Sequence, residues 1–180
     1  MQSFEEIYIL RTIDALKAKL YPEIVLAWDA AEVAYIAAGY DPVDDNESPR
    51  PKVKILPPPM ISDITFLPWS LEEKPITGSW AIVVLCDVSV LDSNNNLSML
   101  GNYELTIGVA YQAKYIESSK YAALSRMRRA VMRLIQKEKN AILYNGGELE
   151  LASTKLSDIN EMKGNRTVVS EVVYNLIAQG

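Results

Sequence analysis

The sequence predicts an α+β fold: an antiparallel β-sheet with a long hairpin, helices packed on one face, and an extended proline-rich arm. Three observations predict it. Residues 80–91 and 103–115 alternate with period two, as strands with one buried face do. Residues near the N-terminus and at 121–139 repeat apolar side chains at spacings of three and four, as helices do. Six of the nine prolines fall between residues 41 and 59, where the chain can hold neither element.

Taken in order, Ser3-Phe4-Glu5-Glu6 reads as a capping box that opens the first helix. Ile7, Leu10, Ile13, Leu16 and Leu20 form its stripe, and Tyr21-Pro22 is expected to end or bend it. A second helix is expected over 23–38, closed by Gly39. Its apolar residues, Ile24, Val25, Leu26, Trp28, Val33, Tyr35 and Ile36, go most of the way round. Such a helix wants burial on more than one side, with another subunit as one source of cover. Residues 41–79 then form an acidic and proline-rich arm followed by turns, with a short strand within 61–69.

In 80–91, Ile82, Val84, Cys86, Val88 and Val90 share one face. Asp92-Ser93-Asn94-Asn95-Asn96 supplies turn residues, and 103–115 returns as the partner strand. Ser118 or Ser119 is expected to cap the next helix. Asn145-Gly146-Gly147 is a turn, 148–156 a strand, 158–165 a polar segment with a turn at Lys163-Gly164-Asn165, and 167–178 a last strand rich in β-branched residues. No internal repeat and no linker divides the chain, so residues 1–180 are expected to form one domain.

Composition excludes several function classes. The chain has no histidine, which removes the commonest general base and metal ligand, and with them Ser-His-Asp and Cys-His arrangements. Cys86 is the only cysteine and lies in an apolar run, which predicts a buried, inert thiol and a reducing, intracellular folding compartment. No phosphate-loop or dinucleotide-binding glycine pattern occurs. Glu72-Glu73-Lys74 contains an E-x-K triplet but sits in a turn before Pro75. The acidic arm lacks the spacing and glycine of an EF-hand loop. No catalytic residue, metal site or cofactor is therefore assigned. No apolar run of 18 residues occurs, and Glu5 and Glu6 stand where a secretory signal would be basic, so neither a membrane span nor a signal peptide is expected.

The stretch "YAALSRMRRAVMRLIQKEK" is the one feature that stands against the background. Residues 120–139 carry seven basic residues and one acidic, a local charge of +6 in a chain of net charge −5. On a helical wheel Leu124, Met127, Val131, Leu134 and Ile135 form the apolar stripe. Arg126, Arg129, Arg133 and Lys137 lie opposite. Three uses stay open for this row. It is a solvated face, or it meets an acidic surface of another copy or protein, with Asp41, Asp44, Asp45 and Glu47 of the arm as the matching charges, or it grips nucleic acid. The whole-chain pI of about 4.9 argues against a large phosphate footprint.

The layout resembles the tail terminator or neck (head-to-tail joining) proteins of tailed bacteriophages. An N-terminal helix ("SFEEIYILRTIDALKAKLYPEI") leads to a proline-rich segment ("PRPKVKILPPP") and a long hairpin ("WAIVVLCDVSVLD" and "NYELTIGVAYQAKY"). An amphipathic helix ("SKYAALSRMRRAVMRLIQK") and a terminal strand pair ("GELELASTKL" and "TVVSEVVYNLIA") follow. The doubled N-terminal helix and the acidic arm depart from that group. The resemblance implies a non-enzymatic virion protein, assembled in the host cytoplasm, whose copies form a hexameric ring. Such a ring caps the tail tube and joins it to the head-side connector, beside the sheath where one is present. DNA passes through its channel without sequence-specific binding. The basic row and the acidic arm would then be contacts between subunits or between rings.

Overall fold

In a computed structural model of the chain the described residues are 4–42, 49–69, 78–91, 101–143, 146–162 and 165–177. They form two helices and a five-stranded sheet in the order α1 (Phe4–Ala37), β1 (Ile64–Pro68), β2 (Trp80–Leu91), β3 (Gly101–Ala113), α2 (Ser118–Ile142), β4 (Glu148–Met162) and β5 (Asn165–Ile177). A single 3₁₀ turn, Ile61–Asp63, precedes β1. The fold is α+β, as the sequence predicts.

The sheet order is β1-β2-β3-β5-β4. The β2–β3 hairpin and the β3–β5 and β5–β4 pairings are antiparallel. β1 pairs with β2 in parallel, so the sheet is mixed, where the sequence predicts a purely antiparallel one. The return from β1 to β2 lies largely in residues 70–77, outside the described residues, as do Ser3, the E-x-K triplet and the turn at 92–96. β4 runs on to Met162, past the expected end at 156 and through the polar segment; of the turn expected at 163–165, residues 163 and 164 lie outside the described residues. Its ladder is broken twice, between Leu151 and Ser153 and between Ile159 and Met162.

Both helices lie on one face of the sheet. Ile9, Leu16, Leu20, Ile24 and Trp28 of α1 and Leu124, Met127, Val131, Leu134 and Ile135 of α2 share one core. The sheet side of that core is built from Trp80, Ile82, Val84, Leu105, Ile107, Val109, Val168 and Val172. These sheet residues occupy alternate positions, as period two requires. On the opposite face Leu67, Ala81, Val83, Ala110 and Val169 form a smaller cluster. Gly108 sits in it because an added Cβ would come within 3.2 Å of Val169 Cγ1.

The largest departure from expectation is α1. It runs unbroken through Pro22 for 34 residues, where two helices are predicted. At 1.5 Å per residue it is about 50 Å long. Pro22 is exposed, so the carbonyl it leaves without a donor meets water rather than the core. Ile13, Leu16 and Leu20 of the predicted stripe are buried, but in the first turns Tyr8, Ile9 and Thr12 are buried instead and Leu10 is exposed. Gly39, with φ +87°, closes the helix as expected, and Tyr40 N–H donates to Tyr35 O at 2.9 Å.

Replacing Pro22 with alanine restores one helical hydrogen bond and removes the ring. Pro22→Ala is expected to raise the unfolding free energy by up to about 3 kcal/mol, read as a higher urea midpoint at unchanged slope.

Candidate functional site

The two helices run antiparallel along their seam. Tyr35 meets Arg126, Glu23 meets Lys137, Lys19 meets Glu138, and Arg11 Nη1 donates to Ala141 O at 2.8 Å. This seam changes the meaning of the basic row. The wheel places Arg126 opposite the apolar stripe, in water, yet it is only 6% exposed. The uninterrupted α1 is the cause: it continues past Pro22 and covers the side of α2 that a shorter helix would leave open.

Arg126 is held by aromatic faces rather than by a carboxylate. Its guanidinium lies 5.7 Å from the ring centre of Trp28 and 5.8 Å from that of Tyr35. Nη2 reaches Tyr35 Oη at 3.5 Å, a long contact, and Nη1 is buried with no hydrogen-bond partner among the described residues. Trp28 also fixes the arm, donating through Nε1 to Leu56 O at 2.7 Å, and its ring stands edge-on to Trp80. Lys137 is also engaged: its Nζ binds the Oε1 of Glu23, a residue buried in α1. Arg128, not singled out from the sequence, reaches Ser170 Oγ on β5 at 3.2 Å. Of the four predicted cations, Arg129 and Arg133 alone are exposed without a partner among the described residues.

Of the predicted acidic partners, Asp44, Asp45 and Glu47 lie outside the described residues. Asp41 is buried rather than displayed on an arm. The reason is a backbone clasp, in which Asp41 N–H donates to Pro51 O at 2.8 Å and Val53 N–H donates to Asp41 O at 2.9 Å. The helix cap also differs, with Glu117 at the N-cap and Ser118 inside the first turn.

Where the C-terminal half of α1 and the N-terminal half of α2 meet, they leave a cleft of about 390 Å³. Ala31, Ala34 and Ala38 line it on one side, Ala122 and Ser125 on the other, with Arg126 and Arg129 at its wall. The solvent side of the same half of α1 exposes Leu26 at 50%, Val33 at 66% and Ile36 at 45%. Asp29 and Glu32 are exposed among them. The sequence expectation that this helix would want cover on a second side thus falls on particular residues, and periodicity alone did not separate them from the core set.

A scan against protein-family models and a search of the curated proteins both find no match to this chain.

The titratable groups with resolved shifts lie in or against the core, and Cys86 is half-buried where a buried thiol is expected. Burial pushes the Cys86 thiol up to about 12 and the Tyr174 phenol up to about 12, and raises Tyr8 and Tyr103 as well. A thiol held protonated this far is a poor nucleophile, in line with the inert role expected for Cys86. Among the described residues no group of three or more acidic or cysteine side chains is placed to hold a metal ion. No helix among them is long and apolar enough to cross a membrane.

Two measurements follow. Lys137→Ala leaves Glu23 buried without its cation. Because Lys137 itself is more than half exposed, the loss is expected at about 1–3 kcal/mol, below that of a fully buried pair. A Lys137→Ala/Glu23→Gln double variant should recover most of it in a double-mutant cycle. The raised Cys86 and Tyr174 values place protons more tightly on the folded chain. Their contribution to stability is complete below about pH 9, and it is lost as pH rises through about 12. Urea midpoints measured across that range should fall with rising pH.

Proposed function

We propose that the chain is a structural, non-enzymatic subunit of a tailed-bacteriophage neck, a ring-forming protein of the tail-terminator kind. The oligomeric part is carried by one observation: Leu26, Val33 and Ile36 form an exposed apolar row on a rigid helix, a surface that calls for a protein cover. The phage part rests on the layout resemblance. The order of α1, arm, β2–β3 hairpin, α2 and β4–β5 hairpin supports that layout. In this reading six copies close a ring that caps the tail tube and meets the head-side connector. Arg129 and Arg133 contact a neighbouring copy or ring, and DNA crosses the channel without being read.

Binding of nucleic acid by the basic row is the weaker reading. Arg126 and Lys137 are committed within the chain, which leaves few phosphate contacts on that face.

Light scattering after gel filtration, with electron microscopy of the purified chain, should give closed rings or caps on isolated tail tubes. A strict monomer that also fails to associate with tubes overturns the proposal. A duplex DNA titration should show no binding at low salt. Binding that weakens by about 0.9 log unit per contact for each log unit of salt would favour the nucleic-acid reading instead.

A further inference from the structure

We infer that the cleft between α1 and α2 is a docking site for the exposed side of α1 from a second copy of this chain, and that carboxylates of the incoming helix pair with Arg129 at its wall. The inference deepens the oligomeric reading above and rests on it.

The receiving side is shaped for a helix. Apart from Tyr35 and Tyr40, alanines and a serine line the cleft beside its two arginines, so an incoming helix can approach closely over that part and large apolar side chains can fill the space. Its wall carries two cations. Arg126 is nine-tenths buried and stacked on Trp28 and Tyr35, so it adds positive charge behind the surface. Arg129 is exposed beside it, where a carboxylate is the group that pairs best with a guanidinium.

The entering side is on the same chain. Leu26, Val33 and Ile36 are exposed large apolar side chains on α1, and Asp29 and Glu32 lie among them. At 100° per residue this row sits roughly 150° round the helix from Ala31, Ala34 and Ala38, so one α1 carries both halves of the contact on different sides. The two patches share no residue. A contact between unlike patches is head-to-tail, and repeated it either closes a ring or grows a filament. Charge sets the pairing: acidic helix side against basic cleft attracts, whereas cleft against cleft or row against row repels.

Three variants test this, each checked by circular dichroism for retained helix. Val33→Lys spoils the row and leaves the cleft intact. Ala34→Trp fills the cleft and leaves the row intact. Asp29→Asn with Glu32→Gln removes the carboxylates and keeps the shape. Each is expected to weaken self-association by more than about tenfold in sedimentation velocity, the size of effect typical of central interface residues. An equimolar mixture of Val33→Lys and Ala34→Trp should form a dimer and stop there, because one intact row meets one intact cleft and neither chain can extend further. Wild-type rings together with variants that assemble equally well overturn this contact and leave the ring reading standing. A mixture that stays monomeric also overturns it. A wild-type chain that is monomeric at all concentrations overturns both.

Discussion

The structure depends on one constraint, the unbroken passage of α1 through Pro22. Had the helix stopped there, Trp28 and Tyr35 would have been free to turn away from α2, and Arg126 would have remained in water. Continuity instead lays the second half of α1 along α2. That brings Trp28 over Arg126 and against Trp80, fixes Leu56 of the arm through the indole N–H, and sets Glu23 beside Lys137. Continuation is tolerated because Pro22 faces solvent, where the carbonyl it orphans can be hydrated. The same continuity creates the cleft on one side of α1 and strands Leu26, Val33 and Ile36 on another.

The seam separates two kinds of charge that look alike in the sequence. Arg126 and Lys137 are structural, one stacked on aromatic rings and one paired with a buried carboxylate. Arg129 and Arg133 are spare. A row of four cations becomes two anchors and two that face outward, and only the outward pair can serve a partner without disturbing the core. The raised thiol and phenol groups lie on strands β2, β3 and β5 and on α1, where they pack in or against the core.

Much of the fold was legible because its signals are local. The period-two runs at β2 and β3, the stripe Leu124, Met127, Val131, Leu134 and Ile135, and the Gly39 stop each depend on neighbouring residues alone, and each stands where the sequence places it. What was illegible depends on distant partners. Nothing within 64–68 says whether it will pair in parallel or antiparallel, since that is decided by how the chain returns to β2. A helical wheel assigns one buried side, yet α2 has two, one toward the sheet and one toward α1, and Arg126 falls on the second. Pro22 obeyed the general rule against helix interiors only in its cost, because its position on the outer side of α1 is a property of the packed molecule. The site was legible in kind, as a basic helix and an over-apolar helix, but not in which residues remained free.

The strand β4 carries a further consequence. It is the sheet's last strand, and residues 151–156 are exposed on both sides, with Leu151 and Leu156 in water. Such a margin invites unwanted addition of strands from other molecules. Two breaks in its ladder and the charged Lys155 between them interrupt the run of evenly spaced backbone groups that an intruding strand would need. The long unsheltered border is thereby a poor template for strand addition, which leaves the helices, and not the backbone of β4, as the surfaces open to contact.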